Sequence, residues 1–342
     1  NVRPGIEKED LTSTRIRLSD VMAAARYQNI SGYEELEQWT AEHLMPSHEA
    51  FGRVVRYLSA SDVSETGVLG VDLGASQVTF ASGDSSEFHL HIRVDRGMGD
   101  PLPRLLEDIL PERIIRWLPI EMTEQDAGNY VLNKSFYPAR LPAERDELYM
   151  ELALAREILH DVLMQACRDW PDGVRVLQHG VLPPRRVILA SGAVLSRIPD
   201  PGMAVLTVLD GLQPTGVTRL LMDPYGLASS LGVMAEVLPV GAVQLLESSS
   251  IPPLAEIVAP LPGPGSHRSD LHLRLDALDG GHLLETTVKG GELRFIPFES
   301  GMEGTLVLRP DRGMDLGFGG PGKAGVEHVK GSIMGVVVDL RG

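Results

Sequence analysis

A single cysteine, Cys167, stands in 342 residues. No disulfide framework and no thiolate metal cluster can be built from one thiol, which fits a reducing cytoplasm. Long apolar runs are also missing. No stretch approaches the run of about 18 apolar residues that a spanning helix needs, and no basic-apolar-small signal opens the chain. Positive charge is scarce: 31 Lys plus Arg face 47 Asp plus Glu, a net charge of −16. That surplus repels phosphate backbones and excludes a broad nucleic-acid face. The expectation is a cytoplasmic protein with neither nucleic acid nor membrane as a partner. Aromatics make up only 5% of the chain. Trp39, Trp117 and Trp170 are expected as core or interface anchors, not as a stacking platform.

What is present supports a packed, multi-domain protein: 43% of residues are hydrophobic. Residues 1–60 carry apolar residues at helical spacing, with a break at Ile30-Ser31-Gly32. They are expected as a helical N-terminal segment packed on the core. The chain opens on Asn1 and not on Met, so a preceding segment is expected. Residues 61–255 alternate strand and helix patterns and are expected as one α/β domain. "GVLGVDLG" (67–74), "SQVTFASG" (76–83) and "SEFHLHIRV" (86–94) are strand-like, with Gly83-Asp84-Ser85 as a hairpin turn. Helical stretches follow from Pro101. They include "TEQDAGNYVLNKSF", capped by Thr123 and Asp126, and a long helix over 142–170. A short strand, Val187 to Ala190, ends in Ser191-Gly192-Ala193. A helix with Pro201 at its start and Gly211 at its end comes next, then a strand, a turn at Asp223-Pro224 and a small-residue helix. From about 256 only short alternating strands remain, separated by Gly-rich turns. Residues 256–342 are expected as a separate all-β domain, a small barrel or sandwich.

The chemistry-bearing stretch is "VDLGASQVTF". An Asp at a strand end followed by Gly in a hairpin suits phosphate: the Asp places a metal or a water, and small residues let a phosphate oxygen approach the main chain. A plainer reading of Asp72 is a turn cap. "HLH" puts His89 and His91 on one strand face with Glu87, short of a third metal-ligand cluster, and ordinary strand histidines are the simpler expectation. Ser191 lacks the Gly-x-Ser-x-Gly frame of a nucleophile elbow. "GFGGPGKAG" (317–325) lacks the ending of a P-loop and precedes no helix, so a loop is expected. No residue is expected to be catalytic, and no metal site is expected.

Taken in order, "VDLGASQVTF", "RVDRGMGDPL", "ILASGAVLS", "DGLQPTGVTRLLMDPYGLASSLGVMA" and "MGVVVDLRG" resemble the MutL-type proteins encoded beside glutamate mutase, which are unrelated to mismatch repair. That family belongs to the actin-like, or ribonuclease H-like, ATPase superfamily with Hsp70 and the sugar kinases. The resemblance implies an α/β fold, the second half of an actin-like ATPase, followed by the all-β part. It also implies ATP and Mg²⁺ as ligands and a protein partner, an adenosylcobalamin-dependent mutase; a homo-oligomer is compatible with it.

The family's phosphate turn reads Asp-x-Gly-Gly-Ala-Thr-Thr-Asp. Here Asp72 and Gly74 match, whereas Ala75 replaces the second Gly and Ser76 the Ala. Gln77 and Val78 replace the two Thr, and Thr79 replaces the second Asp. The adenosine-side turn is Ser191-Gly192-Ala193, with one Gly. The nucleotide-binding residues implied are Asp72, Gly74, Ala75, Ser76, Thr79, Ser191, Gly192 and Ala193. A Cβ at Ala75 narrows the phosphate approach, and the missing carboxylate weakens Mg²⁺ placement. The expectation is a chaperone-like or regulatory protein with a depleted ATPase site. The competing expectation is an active Mg-ATP-dependent ATPase or kinase whose first phosphate motif lies in a missing N-terminal half. A third is an acidic scaffold that binds protein through the β-domain.

Overall fold

The alternating run after Gly67 forms β1 (Val68–Leu73). Its pattern is apolar almost throughout because helices cover both faces of its sheet. β2 (Val78–Gly83) returns antiparallel to β1, and β3 (Phe88–Arg93) returns antiparallel to β2, the meander expected from the turn residues. The turn before β3 is held by the Asp84 carboxylate, which accepts N–H bonds from Ser86 at 2.7 Å and Glu87 at 2.9 Å. A computed structural model describes residue 21 and residues 31–40, 44–62, 66–84, 86–169, 182–248 and 250–341. Ser85, Trp170 and most of the expected segment before residue 31 lie outside the described residues.

Two units divide the chain, residues 1–46 and 47–342. In the first, the helix α1 (Tyr33–Trp39) buries none of its residues, and Trp39 is exposed rather than anchoring a core. The helix α2 (Ser47–Ser61) belongs to the second unit, so the expected helical segment 1–60 spans both units.

Within the second unit β4 (Val187–Ser191) lies parallel to β1 and β5 (Gly216–Met222) parallel to β4. β6 (Pro253–Ala259) runs antiparallel to β5. The sheet then takes in two strands from the C-terminal part, β12 (Val336–Asp339) beside β6 and β9 (Leu293–Ile296) at the edge. Its order is β3-β2-β1-β4-β5-β6-β12-β9. A second, antiparallel sheet runs β11 (Gly325–Lys330), β10 (Glu303–Pro310), β7 (Leu271–Ala277), β8 (His282–Val288). Local pattern gives little sign of β11, whose sequence GVEHVK is polar at half its positions and only weakly alternating. Val258, Val336 and Val338 of the first sheet share one buried cluster with Leu273, Leu306 and Leu308 of the second. The large sheet thus runs across the composition change near 256, with the smaller sheet packed on one end of it.

Helices close both faces of the large sheet. On one side lie α3 (Leu102–Asp108), α4 (Pro111–Ile115), α5 (Glu124–Phe136), α6 (Arg145–Asp169) and α8 (Pro201–Leu212). α6 and α8 share a buried cluster with Leu69, Val71 and Phe80. The α5 start is a reciprocal cap: Asp126 N–H donates to Thr123 Oγ1 at 3.1 Å, and that hydroxyl donates to Asp126 Oδ2 at 2.6 Å. Gly211 does not end α8. It lies inside the helix against Leu159, and the left-handed closing position is Gln213 at φ 48°.

On the other face α2 and α9 (Leu227–Val237) cross over Val68, Ala81 and Leu189. Their crossing is close: a Cβ on Gly232 would stand 1.9 Å from the Ala50 carbonyl oxygen. Beyond α9 the chain forms α10 (Pro239–Glu247). Among the described residues, no helix is long and apolar enough to cross a membrane.

Candidate functional site

The carboxyl ends of β1, β4 and β5 come to one edge of the sheet, the place where open α/β sheets usually bind ligands. Register decides what faces what there. Asp72 is opposite Thr79 on β2 and opposite Ser191 on β4. Paired residues on adjacent strands project from the same face. Asp223, one residue past β5, continues the row, its N–H bonded to the Ala190 carbonyl at 2.9 Å. The result is a line Thr79, Asp72, Ser191, Asp223 along the strand ends.

Asp223 is completely buried and fully engaged. Its carboxylate accepts N–H bonds from Leu227 at 2.8 Å and Ala228 at 2.9 Å, the first residues of α9. The Ser191 hydroxyl donates to the same carboxylate at 3.0 Å. The side chain therefore occupies the positive end of the α9 dipole, where an external anion would otherwise find its donors.

Asp72 has no such help. No hydrogen bond reaches its carboxyl among the described residues. Burial, and secondarily the charge of Asp223, raise its pKa to about 6. Thr79 is completely buried, and its hydroxyl has no hydrogen-bond partner among the described residues. In sequence, Asp223 reads only as a turn residue. The signal that marks it is a strand followed by Asp-Pro-x-Gly and a small-residue helix, the pattern of an N-terminal cap.

The two matched glycines have packing reasons. At Gly74 a Cβ would stand 2.8 Å from the Gln77 carbonyl oxygen, within the hairpin closed by the Gly74 N–H bond to that oxygen at 3.0 Å. Gly192 has φ 102°, and its Cβ would stand 2.2 Å from the Leu73 carbonyl oxygen. Only glycine fits where the β4 exit crosses the end of β1. Ala75 and Ser76 are exposed at the hairpin tip, and Ala193 is exposed at the start of the short helix α7 (Ala193–Ser196). The loop after β3 backs the tip: the Met98 N–H donates to the Gly74 carbonyl at 3.0 Å.

His89 sits apart on the edge strand β3, 3.3 Å from Glu87. No group of three or more metal-ligating side chains occurs among the described residues. The donors at the strand ends are two carboxylates and hydroxyls. That hard oxygen set suits Mg²⁺ carried by a phosphate better than a resident metal. Residues 317–324 form turns and loop, as expected of the glycine-rich stretch. Trp117 is partly buried; its ring N–H donates to Glu157 at 2.7 Å, with the Arg116 guanidinium 4.8 Å from its ring centre.

A family model, the MutL protein, matches residues 1–250. The chain belongs to the MutL family. No curated protein matches it. Among solved structures, component A of the (R)-2-hydroxyglutaryl-CoA dehydratase of Acidaminococcus fermentans is similar at 9% identity. The match covers 58% of this chain and 70% of that one, with a TM-score of 0.31. The activator of the 2-hydroxyisocaproyl-CoA dehydratase from Clostridium difficile, with bound ADPNP, is similar at 14% identity. That match covers 60% and 69%, also with a TM-score of 0.31. At such scores the likeness carries no argument, and the architecture of this MutL chain rests on its own strand order and site.

Proposed function

We infer that this MutL-family chain is a chaperone-like or regulatory partner of another protein, built on an actin-like module whose phosphate site is reduced. The client its family resemblance points to is an adenosylcobalamin-dependent mutase. The observation that carries the reading is the Asp223 carboxylate seated on the α9 N-terminus and on Ser191. The donors that would hold a phosphate are already satisfied from within. The neighbouring Asp72 adds negative charge, which repels a phosphate unless a divalent cation comes with it. Asp72, Ser76, Thr79 and Ser191 are the residues that would meet Mg-ATP if it binds.

Calorimetry of the full chain with Mg-ATP tests this. Weak or absent heat is expected, together with a longer activity half-life of the mutase when the chain is added. Micromolar binding with turnover that Asp72→Ala abolishes overturns the reading in favour of a working ATPase or kinase. The raised pKa of Asp72 supports that second reading, because a carboxyl poised near neutrality and ready to take a cation is what such chemistry uses. A thermal-shift series with Mg-ATP separates the two. Ligand at about a hundred times Kd adds roughly 2.7 kcal/mol to the second and nothing to the first.

A further inference from the structure

The loop that backs the β1–β2 hairpin is itself buried. Arg96, Gly97, Met98 and Gly99 belong to no strand or helix, yet all four are buried. Their backbone lies against the hairpin tip. The Met98 N–H donates to the Gly74 carbonyl, and the Gly74 N–H donates to the Gln77 carbonyl, each at 3.0 Å. A Cβ on Gly97 would stand 2.5 Å from the Ala75 carbonyl oxygen and 3.0 Å from the Gln77 nitrogen. One on Gly99 would stand 3.0 Å from the same Ala75 oxygen. Whatever holds this loop therefore holds the tip.

Arg96 holds it. Its side chain is 3% exposed. Nε donates to Asp161 of α6 at 2.7 Å, Nη2 to Asp108 at the end of α3, and Nη1 to the Asp95 carbonyl at 3.0 Å. Asp95 is gripped in turn by Arg93 at the end of β3, whose Nε donates to it at 2.7 Å. Charge-assisted bonds are the strong ones, and the planar fork of a guanidinium fixes direction as well as distance. One buried side chain thus ties the loop to two helices.

In sequence, an arginine in "RVDRGMGDPL" beside a phosphate turn looks like an anion contact. The structure gives it another part. Each of its nitrogens already has a partner, and the group is sealed from solvent, whereas Ala75 and Ser76 are exposed at the tip. Arg96 acts on the tip through the loop.

We propose that Arg96 is the positioning residue of the strand-end site: through the loop 95–99 it fixes the tip Gly74–Gln77 in one shape before any phosphate-bearing ligand arrives. This rests on the strand-end site of the reading above and deepens it. A tip already ordered costs a ligand nothing to arrange.

The test is hydrogen–deuterium exchange of the full chain without nucleotide, read by mass spectrometry in peptides covering 72–78 and 96–100. The Gly74 and Met98 N–H groups report on the hairpin and its backing. In Arg96→Met they exchange about tenfold or more faster than in the wild type, while β5 exchanges as before. The carboxylates left behind are partly exposed and can turn to water, which favours a folded variant. A purely structural role would speed β5 by as much, because global unfolding opens every amide. Arg96→Lys restores part of the protection, since one ammonium lacks the fork that spans Asp161 and Asp108. Asp108→Asn keeps the Asp161 bond and speeds the same two peptides by about twofold to fivefold. It carries the test should Arg96→Met fail to fold. Tip exchange that is unchanged in the folded variants, or that rises equally in β5, overturns the proposal. No nucleotide is present, so strong or weak Mg-ATP binding leaves these outcomes as they are, and failure of the reading above is told apart from failure here.

Discussion

Asp72 and Asp223 stand near each other at the ends of β1 and β5, and only one of them is satisfied. Asp223 has two backbone N–H groups and a hydroxyl, whereas Asp72 has burial and its neighbour's charge. The pair stores an electrostatic cost that the rest of the fold carries.

That cost has a definite pH dependence. The Asp72 pKa is about 6 folded, against an ordinary 3.8. Above pH 6 the group is ionised in both states and lowers stability; as pH falls through 6 towards 4 the folded state takes up its proton first and the penalty disappears. Asp72→Asn is expected to stabilise the protein at about pH 8 by about 1–2 kcal/mol, with the gain fading by about pH 4. Urea midpoints at the two pH values check this.

The same relationship predicts non-additivity. Asp223→Asn loses part of the α9 cap and is expected to cost about 1 kcal/mol at about pH 8. In that background Asp72→Asn gains less than it does alone, because the opposing charge has gone. A double-mutant cycle in urea is the measurement, and equal gains in both backgrounds contradict the coupling.

Two helical glycines should behave oppositely when replaced by alanine. Gly232→Ala drives a methyl to 1.9 Å from the Ala50 carbonyl and is expected to cost about 3 kcal/mol or more. Gly128, on α5, has open space around it, so Gly128→Ala is expected to add about 0.5–1 kcal/mol. A thermal midpoint that does not fall in Gly232→Ala excludes the close α2–α9 crossing.

Thr79 buries a hydroxyl with no partner among the described residues. Thr79→Val keeps the shape and removes the desolvated group, so stability is expected to stay level or rise by up to about 1 kcal/mol. A loss beyond about 1 kcal/mol shows that the hydroxyl has a bound partner in solution.

Local patterning alone makes several elements legible. Alternation with Gly83-Asp84 marks the β-meander, Thr123 with Asp126 marks the start of α5, and uninterrupted helix formers mark α6. The site is legible only in part. Asp72 and Ser191 stand out as residues at strand ends, but nothing local says that Thr79, Ser191 and Asp223 line up with Asp72. That alignment is a matter of strand register between segments far apart in the chain. Gly74 and Gly192 look in sequence like room for a phosphate and prove to be room for the chain itself.

The sequence by itself determined most of the secondary structure, the acidic surface and the family, because propensity, turn chemistry and charge are local or additive properties. Tertiary structure alone decided that β9 and β12 join the large sheet across the composition change near 256. It alone seated Asp223 on the N–H groups of α9 and left Asp72 without a hydrogen bond among the described residues. Those outcomes depend on which buried faces and backbone donors meet in space, and that is settled by packing between segments far apart in the chain.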